Sequence, residues 1–323
     1  MPASIGIDLG TTFSCVATIS PSGEPEAIAN FEGANTTPSV VAYSSSGILV
    51  GKAAIKSSTP AKNTIHDSKR FIGRQFNDDS VQNDMKGWPF AGKPMVQLTQ
   101  DGTEKKLAAE EISAKVLKMI KEVAGKYLND DVIKAVITVP ANFDQRQRHA
   151  TMEAARLANL EVIRLVNEPT AAAIAYGVHN EGVNNVLVYD LGGGTFDVSI
   201  VKCEGKNRME ILATAGHKHL GGQDLDKIIL NHVLENFKDF PRGNARIMKR
   251  LLEMCTEAKI TLSFHESTNI FIENPTSDDG WELKFTRSKL NELCGKTIHG
   301  TIDIINEALC QANMKEKDID VVV

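Results

Sequence analysis

Residues 186–201 read Val186-Leu-Val-Tyr-Asp190-Leu-Gly192-Gly193-Gly194-Thr195-Phe196-Asp197-Val-Ser-Ile-Val201. Apolar residues stand on both sides of an Asp-Leu-Gly-Gly-Gly-Thr turn, and this pattern predicts a β-hairpin. Consecutive glycine amides can bind an anion because no Cβ atom blocks the approach of a ligand to the backbone. Asp190, just before the glycines, is placed to hold a divalent cation that accompanies phosphate. Taken alone, the stretch also fits an ordinary glycine-rich hairpin.

A second copy of the pattern opens the chain: Ile5-Gly-Ile-Asp8-Leu9-Gly10-Thr11-Thr12-Phe13-Ser14-Cys15-Val16. Both copies contain Asp-Leu-Gly followed by Thr-Phe, and 182 residues separate Asp8 from Asp190. Recurrence of the aspartate and of the Thr-Phe pair argues against a chance hairpin. The repeat therefore predicts a duplicated domain with two phosphate-binding loops that face each other across a cleft.

Composition narrows the class of protein. The chain has 323 residues, of which 42% are hydrophobic and 24% charged, as expected for a globular protein with two lobes. Its net charge is -5 and it has no basic run, so we expect no nucleic-acid partner. Five scattered cysteines without a C-x-x-C pair suggest reduced thiols. With no apolar run of membrane-spanning length and no leader pattern, we expect a cytoplasmic protein without a membrane partner.

Periodicity outlines the elements of the first lobe. Strands are expected over residues 4–9, 13–19, 26–30 and 39–43. Residues 64–73 read as a helical stretch in a small insertion, where Lys69 and Arg70 would be solvated surface charges. The apolar positions that recur at helical spacing, and so predict a helix over residues 109–128, are Ile112, Val116, Ile120, Val123 and Tyr127.

Other candidate residues follow in the second half of the chain. Pro169 suits a first helical turn and Gly177 its exit, so that Glu168 lies at the helix N-terminus and can complement the helix dipole. Gly221 and Gly222 open a helix that reaches residue 237, a candidate third phosphate contact. His217 and His219 lack further suitably spaced ligands, which disfavours a metal site. Residues 295–297 resemble the end of a P-loop but lack its first glycine and favour plain helix.

In order along the chain, these motifs resemble the nucleotide-binding domain of the seventy-kilodalton heat-shock protein family, within the actin and sugar-kinase superfamily. The stretches that carry the resemblance are residues 7–12, 69–73, 136–141, 167–177, 190–197 and 219–224. The resemblance implies an α/β fold of two lobes built from duplicated ribonuclease H-like domains. Lobe I would span residues 1–183 with an insertion at about 38–108, and lobe II residues 184–323 with an insertion at about 220–297 and its final part missing.

The resemblance also implies roles for individual residues, and it replaces the surface reading of Lys69 and the dipole reading of Glu168. ATP or ADP would lie in the cleft with Mg²⁺, and K⁺ is a further candidate cation. The implied nucleotide contacts are Gly10, Thr11, Thr12, Phe13, Lys69, Gly192, Gly193, Gly194, Thr195, Gly221, Gly222, Lys259 and Ser263. The implied catalytic residues are Lys69, Glu168, Asp190 and Thr195, and the implied metal residues are Asp8 and Asp190.

By the same resemblance, the protein is expected to be a chaperone whose slow, Mg²⁺-dependent ATP hydrolysis times the release of unfolded client polypeptides from an attached domain not present here. Pro140 and Arg148 match positions that relay nucleotide state, and J-domain proteins and nucleotide exchange factors are the implied partners.

Gln223, Thr256 and Ile260 depart from the common family residues around adenosine, and the later adenosine loop is missing from this sequence. These departures keep open an alternative, a weakly hydrolysing, ribosome-associated or regulatory binding module. An actin-like filament subunit or a sugar kinase shares the hairpins but would not account for residues 167–177.

Overall fold

The computed structural model describes residues 3–75, 78, 81, 95–100, 103–176, 183–204, 208–237, 239–274 and 280–323. The chain divides into two compact units, Met1–Asn180 and Glu181–Val323. Each unit has its own β-sheet and its own apolar core. The predicted helix exit at Gly177 lies outside the described residues.

The first unit combines one large sheet, smaller strand pairs and helices that cover them. Its strands are β1 (Ala3–Leu9), β2 (Phe13–Ile19), β3 (Pro25–Ala27), β4 (Thr36–Pro38), β5 (Val41–Ser44), β6 (Gly47–Val50), β7 (Thr64–Ile65), β8 (Met95–Gln100), β9 (Thr103–Ala108), β10 (Val132–Val139) and β11 (Glu161–Asn167). Its α-helices are α1 (Lys52–Lys56), α2 (Ala109–Leu128), α3 (Gln145–Leu157) and α4 (Glu168–Ala175).

β1 occupies the centre of the main sheet, whose order is β11-β10-β1-β2-β3, with β4 also paired to β2. It runs antiparallel to β2 and parallel to β10. Alternate side chains of these strands, such as Ile5, Ile7 and Ile137, enter a core that α2 covers. Helix α2 has the bounds that its apolar stripe predicts. Tyr127, the last residue of that stripe, is nevertheless 51% exposed, and its hydroxyl donates to Glu26 at the surface.

The second unit repeats this strand order. Its elements are β12 (Asn185–Leu191), β13 (Phe196–Glu204), β14 (Arg208–His217), α5 (Gly222–Asn236), α6 (Ala245–Thr261), β15 (Ser267–Glu273), β16 (Gly280–Thr286), α7 (Arg287–Gln311) and β17 (Val321–Val322). The sheet order is β14-β13-β12-β17, with β12 antiparallel to β13 and parallel to β17. The series β3-β2-β1-β10 has the same directions in the first unit, which is the duplicated architecture that the sequence repeat predicts.

Two apolar clusters stabilise the second unit. One lies between the sheet and α7, where Phe196 and Val198 meet Ala308 and Leu309. The other joins α5 and α6 to the β15–β16 hairpin, with Phe285 among its buried side chains. The interior of α7 contains residues 295–297, so the reading of this segment as plain helix is correct.

The helix expected over residues 64–73 is wrong. Thr64–Ile65 forms β7 against β5, and the following helical residues are a single 3₁₀ turn, Ser68–Arg70. Asp67, which precedes that turn, has φ of 49°, a left-handed conformation that interrupts a right-handed helix. Gly73 at φ of 65° ends the segment against the backbone of α3.

Two expected strands are shorter or displaced. β3 ends at Ala27, because Asn30 folds the next residues into a loop by accepting from the amides of Glu32 and Ala34. The strand expected over residues 39–43 begins only at Val41, since Ser39 bonds instead to the turn between β1 and β2.

Candidate functional site

The turn between β1 and β2 is anchored by Ser39. Leu9 and Ser14 are the last residues that the two strands pair, so residues 10–13 lie between them. The hydroxyl of Ser39 donates to the carbonyl oxygen of Gly10 at 2.8 Å, and its amide donates to that of Thr12 at 2.8 Å. A Cβ atom on Gly10 would overlap the carbonyl oxygen of Phe13, so this position requires glycine.

The turn between β12 and β13 is anchored by the start of α5. Leu191 and Phe196 close the strand pairing, leaving residues 192–195 as the turn. The amide of Gly222 donates to the Gly192 carbonyl at 3.0 Å, and the amide of Gln223 to the Gly193 carbonyl at 2.7 Å. A Cβ atom on Gly221 would lie 2.6 Å from the Gly194 nitrogen, so the close approach of helix and turn depends on glycine.

The two hairpins correspond in register with a constant offset of 182 residues. The pairs Asp8–Cys15 and Leu9–Ser14 correspond to Asp190–Asp197 and Leu191–Phe196. The Asp-Leu-Gly part of the sequence repeat is therefore structural. The Thr-Phe part is out of register by one residue, because Thr195 corresponds to Phe13 and not to Thr12. The Thr-Phe pair therefore gives no support to the duplication, although the duplication itself is present.

The anchored carbonyl groups fix the direction of the turn amides. Among the described residues no peptide bond is cis, and in a planar trans peptide the C=O and N–H bonds point in opposite directions. The amides of Thr11 and Phe13 therefore point away from Ser39. The amides of Gly193 and Gly194 likewise point away from the start of α5. Such sets of aligned amides are suited to bind an anion.

Side chains near the first turn fit a phosphate and its cation. The hydroxyl oxygen of Thr12 is buried and has no hydrogen-bond partner in the part of the chain that the structure describes. A buried, unsatisfied hydroxyl is costly, and a phosphate oxygen would satisfy it. Asp8 is exposed, and one of its carboxylate oxygens accepts a 2.6 Å hydrogen bond from the Thr138 hydroxyl. Burial, and after it the charge of Asp8, raises the pKa of the Cys15 thiol.

The second turn places a carboxylate at the equivalent position. Asp190 is exposed at the end of β12, as Asp8 is at the end of β1. Asp197 lies opposite Asp190 across the hairpin, and a Cβ atom on Gly216 would come within 2.5 Å of the Asp197 carboxylate. The second turn therefore combines two carboxylates with the amides of a glycine run.

Lys69 and Glu168 form a buried ion pair in the first unit. The Lys69 Nζ donates to Glu168 Oε1 at 2.5 Å, and the two side chains are 9% and 19% exposed. The ring of Phe143 lies 5.9 Å from the lysine nitrogen. The reading of Lys69 as a solvated surface charge is therefore wrong. Glu168 is the first residue of α4 with Pro169 beside it, as predicted, but its charge faces a lysine as well as the helix dipole.

Arg148 braces the loop that follows β10. Its guanidinium donates to the carbonyl oxygens of Phe143 at 3.1 Å and Ala141 at 3.4 Å, and to the side chain of Asn167 at 2.9 Å. Asn167 directly precedes Glu168. Pro140 begins the same loop, and its carbonyl oxygen accepts from the Phe143 amide. Arg148 thus connects the residues after Pro140 to the start of α4.

Lys259 on α6 stabilises the start of α5. Its Nζ lies 2.7 Å from Asp226 and donates to the carbonyl oxygen of Gly222 at 2.8 Å. Asp226 is 6% exposed, so this is a buried ion pair next to the residues that anchor the second turn. Ser263 is exposed just beyond the end of α6.

The resemblance marks Gln223, Thr256 and Ile260 as departures from the common family residues, and they lie at the start of α5 and on α6. Gln223 contributes its backbone amide to the second turn, a bond that does not depend on its side chain. The Thr256 hydroxyl donates to the Leu252 carbonyl within α6, and Ile260 is 56% exposed on the same helix.

Sequence reasoning missed Ser39 and Asp226. Ser39 is the first residue of the strand expected over residues 39–43, and Asp226 is one of several acidic residues on α5, so neither has a sequence signal that sets it apart. Within the described ranges, no cluster of three or more histidine, cysteine, aspartate or glutamate side chains could hold a metal ion. None of the helices that the structure describes has the length and apolar character needed to span a bilayer.

The repeated sheet order and the two anchored glycine turns place the chain in the class of actin-like ATPase folds. A family model described as Hsp70 protein matches residues 4–323. The chain therefore belongs to the Hsp70 family, in which it corresponds to the nucleotide-binding domain.

Individual relatives agree with the family match. The chain is 44% identical to a heat shock protein of Pyricularia oryzae, over 99% of this chain and 54% of that protein. It is 43% identical to a heat shock 70 kDa protein of Neurospora crassa, over 100% of this chain and 52% of the relative. It is 42% identical to a ribosome-associated molecular chaperone of Zygosaccharomyces rouxii, over 99% and 54%. The chain thus spans about half the length of these curated relatives.

Proposed function

We propose that this chain binds ATP and ADP with Mg²⁺ and hydrolyses ATP slowly. The observation that supports the proposal is the matched anchoring of the two turns, which leaves the Thr11, Phe13 and Gly193 amides pointing away from the groups that anchor the turns. Amides held in this way stabilise the charge of transferring phosphoryl oxygens without reorganisation, and phosphoryl transfer depends mainly on such positioning.

The remaining polar residues have distinct roles in this proposal. Lys69 would neutralise the γ-phosphate, and Glu168 would hold that lysine and orient the attacking water. Thr195 would help position the phosphate, while Lys259 and Ser263 would contact the nucleoside.

Asp8 and Asp190 would hold the Mg²⁺ shell, largely through water, and K⁺ is a further candidate at this site. Bound Mg²⁺ supplies charge neutralisation to the phosphate oxygens.

In the complete protein, we propose that nucleotide state controls the binding of unfolded clients by an attached domain. A ligand can drive such a change only through differential contacts with two states. Arg148 bonds both to the loop after Pro140 and to Asn167, which precedes Glu168, so a change at the γ-phosphate could reach that loop. J-domain proteins and exchange factors are the proposed partners, and the cytoplasm is the proposed location.

Single-turnover hydrolysis of radiolabelled ATP tests the proposal. Lys69→Ala should lower the rate about a hundredfold, the scale of one lost transition-state donor. Glu168→Gln preserves the shape of its side chain and should also slow the reaction. Lys118→Ala removes an exposed lysine from α2 and is the matched control. Equal rates for Lys69→Ala and Lys118→Ala, with both proteins folded, would contradict the assignment.

A second function has specific support. Relatives of this chain include ribosome-associated molecular chaperones. Thr256 and Ile260, which the sequence resemblance marks as unusual, lie on α6. The alternative is a weakly hydrolysing, ribosome-associated or regulatory module. It predicts that the chain binds Mg-ATP, that hydrolysis is equally slow with and without Lys69, and that the full-length protein sediments with ribosomes.

A further inference from the structure

We propose that Ser39 is a positioning residue for the phosphate-binding turn of the first unit. Its hydroxyl fixes the peptide group between Gly10 and Thr11 so that the Thr11 amide faces the ligand. The proposal rests on the proposed function, because it gives Ser39 a part in phosphate binding without a contact to the phosphate.

The hydrogen-bond directions around Ser39 are determined by counting protons. Ser39 is 5% exposed and Ser14 is 1% exposed, and their hydroxyl oxygens lie 2.9 Å apart. A serine hydroxyl has one proton, and Ser39 donates its proton to the Gly10 carbonyl. Ser14 must therefore donate to Ser39. The Gly10 carbonyl oxygen therefore accepts its hydrogen bond from Ser39, whereas Ser14 bonds only to the Ser39 hydroxyl.

In the second unit, the corresponding carbonyl also accepts a hydrogen bond. Gly192 corresponds to Gly10 at the offset of 182 residues, and its carbonyl accepts from the Gly222 amide. The two units thus cap the same turn position with different donors, a side chain in one and the backbone in the other. Because glycine permits wide rotation of the adjacent peptide, an uncapped Gly10 carbonyl could turn and take the Thr11 amide out of place.

A comparison of Ser39→Ala with Ser14→Ala separates positioning from ordinary core packing. Each variant removes one buried hydroxyl from the same pair, so we expect similar decreases in melting temperature. Only Ser39→Ala uncaps Gly10. The single-turnover rate should fall about tenfold in Ser39→Ala and stay within about twofold in Ser14→Ala, since an imperfectly placed donor costs less than the hundredfold loss of a whole one. Ser199→Ala, which removes a buried hydroxyl that bonds to Thr214 in the second unit, is a further control.

Backbone amide chemical shifts supply a readout that does not need hydrolysis. In nucleotide-free Ser39→Ala the shifts of residues 10–13 should change, and addition of Mg-ADP should perturb the Thr11 amide less than in the unchanged chain. Equal rates for Ser39→Ala and the unchanged chain, or equal slowing by Ser14→Ala, would overturn the proposal. If Lys69→Ala also leaves hydrolysis unchanged, the proposed function fails. In that case, unchanged shifts at residues 10–13 would show separately that Ser39 does not fix the turn.

Discussion

The Nζ atom of Lys69 lies 2.5 Å from Oε1 of Glu168, although 99 residues separate them in the chain. One residue belongs to a 3₁₀ turn and the other begins α4, so the pair joins that turn to the helix that follows β11, the edge strand of the main sheet. Both side chains are largely buried, and a buried charge requires a partner. Removing either residue should therefore change the stability of the protein as well as the proposed chemistry.

A double-mutant cycle should measure this coupling. Lys69→Met removes the lysine from a Glu168 side chain that is 19% exposed, and should lower the free energy of unfolding by about 1–3 kcal/mol, the cost of an unmade hydrogen bond to a charged group. Glu168→Gln should cost less, because the amide oxygen can still accept from Lys69. The double variant should be more stable than the sum of the single effects predicts, by about 1–3 kcal/mol. Urea unfolding of the four proteins gives these values, and strictly additive losses would contradict the pair.

Gly10 should be irreplaceable at the first turn, whereas Gly243 should not. A Cβ atom on Gly10 would overlap the carbonyl oxygen of Phe13, while one on Gly243 would meet no atom within 4 Å. Gly10→Ala should therefore lower the free energy of unfolding by about 1–3 kcal/mol through forced backbone shifts. Gly243→Ala should be neutral or stabilising by a few tenths of a kcal/mol, roughly the gain from a stiffer unfolded chain. Thermal and urea unfolding test both, and equal effects would contradict the close approach.

Much of the fold could be predicted from local patterns. The apolar stripe of α2 and the Asp144 N-cap of α3 are encoded within a few residues, and the stripe predicts α2 with its observed bounds. The prediction of a helix over residues 64–73 failed because the backbone there is set by a left-handed Asp67 and by the close approach of Gly73 to α3. A single sequence carries no local signal for such contacts.

The two turns of the candidate site could be predicted, because short sequence motifs encode their backbone conformation. An Asp-Leu-Gly sequence opens each of the two turns and indicates them directly. The burial of Lys69 is not visible locally, because it depends on α4 and on Phe143, which lie far along the chain. Ser39 shows the same limit, since its importance comes from the Gly10 carbonyl 29 residues earlier.

Lys259 and Lys227 should differ sharply in their contribution to stability. Lys259 pairs with an Asp226 side chain that is only 8% exposed, whereas Lys227 is itself 65% exposed beside Asp224. Lys259→Met should cost about 3–5 kcal/mol, because Asp226 would keep a buried, unpaired charge. Lys227→Met should cost less than about 1 kcal/mol, as is usual for an exposed pair. Urea unfolding measures the free energy of unfolding of both variants. Similar losses for the two would show that the Asp226 carboxylate is accessible to water.

Alkaline pH should destabilise the second unit through Cys255. Burial, with a smaller contribution from the charge of Asp226, raises the pKa of this thiol to about 12. The folded pKa lies above the unfolded one, so the stabilisation is complete below pH ~8.5 and is lost as the pH rises toward the folded value. In that window the unfolded thiol loses its proton while the folded one keeps it, and the free energy of unfolding falls by about 1.4 kcal/mol per pH unit.

Urea unfolding between about pH 8 and pH 10, a range that starts near the ordinary thiol pKa, tests this linkage. The decline in stability should be shallower in Cys255→Ala than in the unchanged chain, whatever the variant's starting stability, because alanine has no proton to lose. Cys310→Ala alters an exposed thiol and should keep the original slope. Parallel slopes for all three proteins would contradict the burial of Cys255.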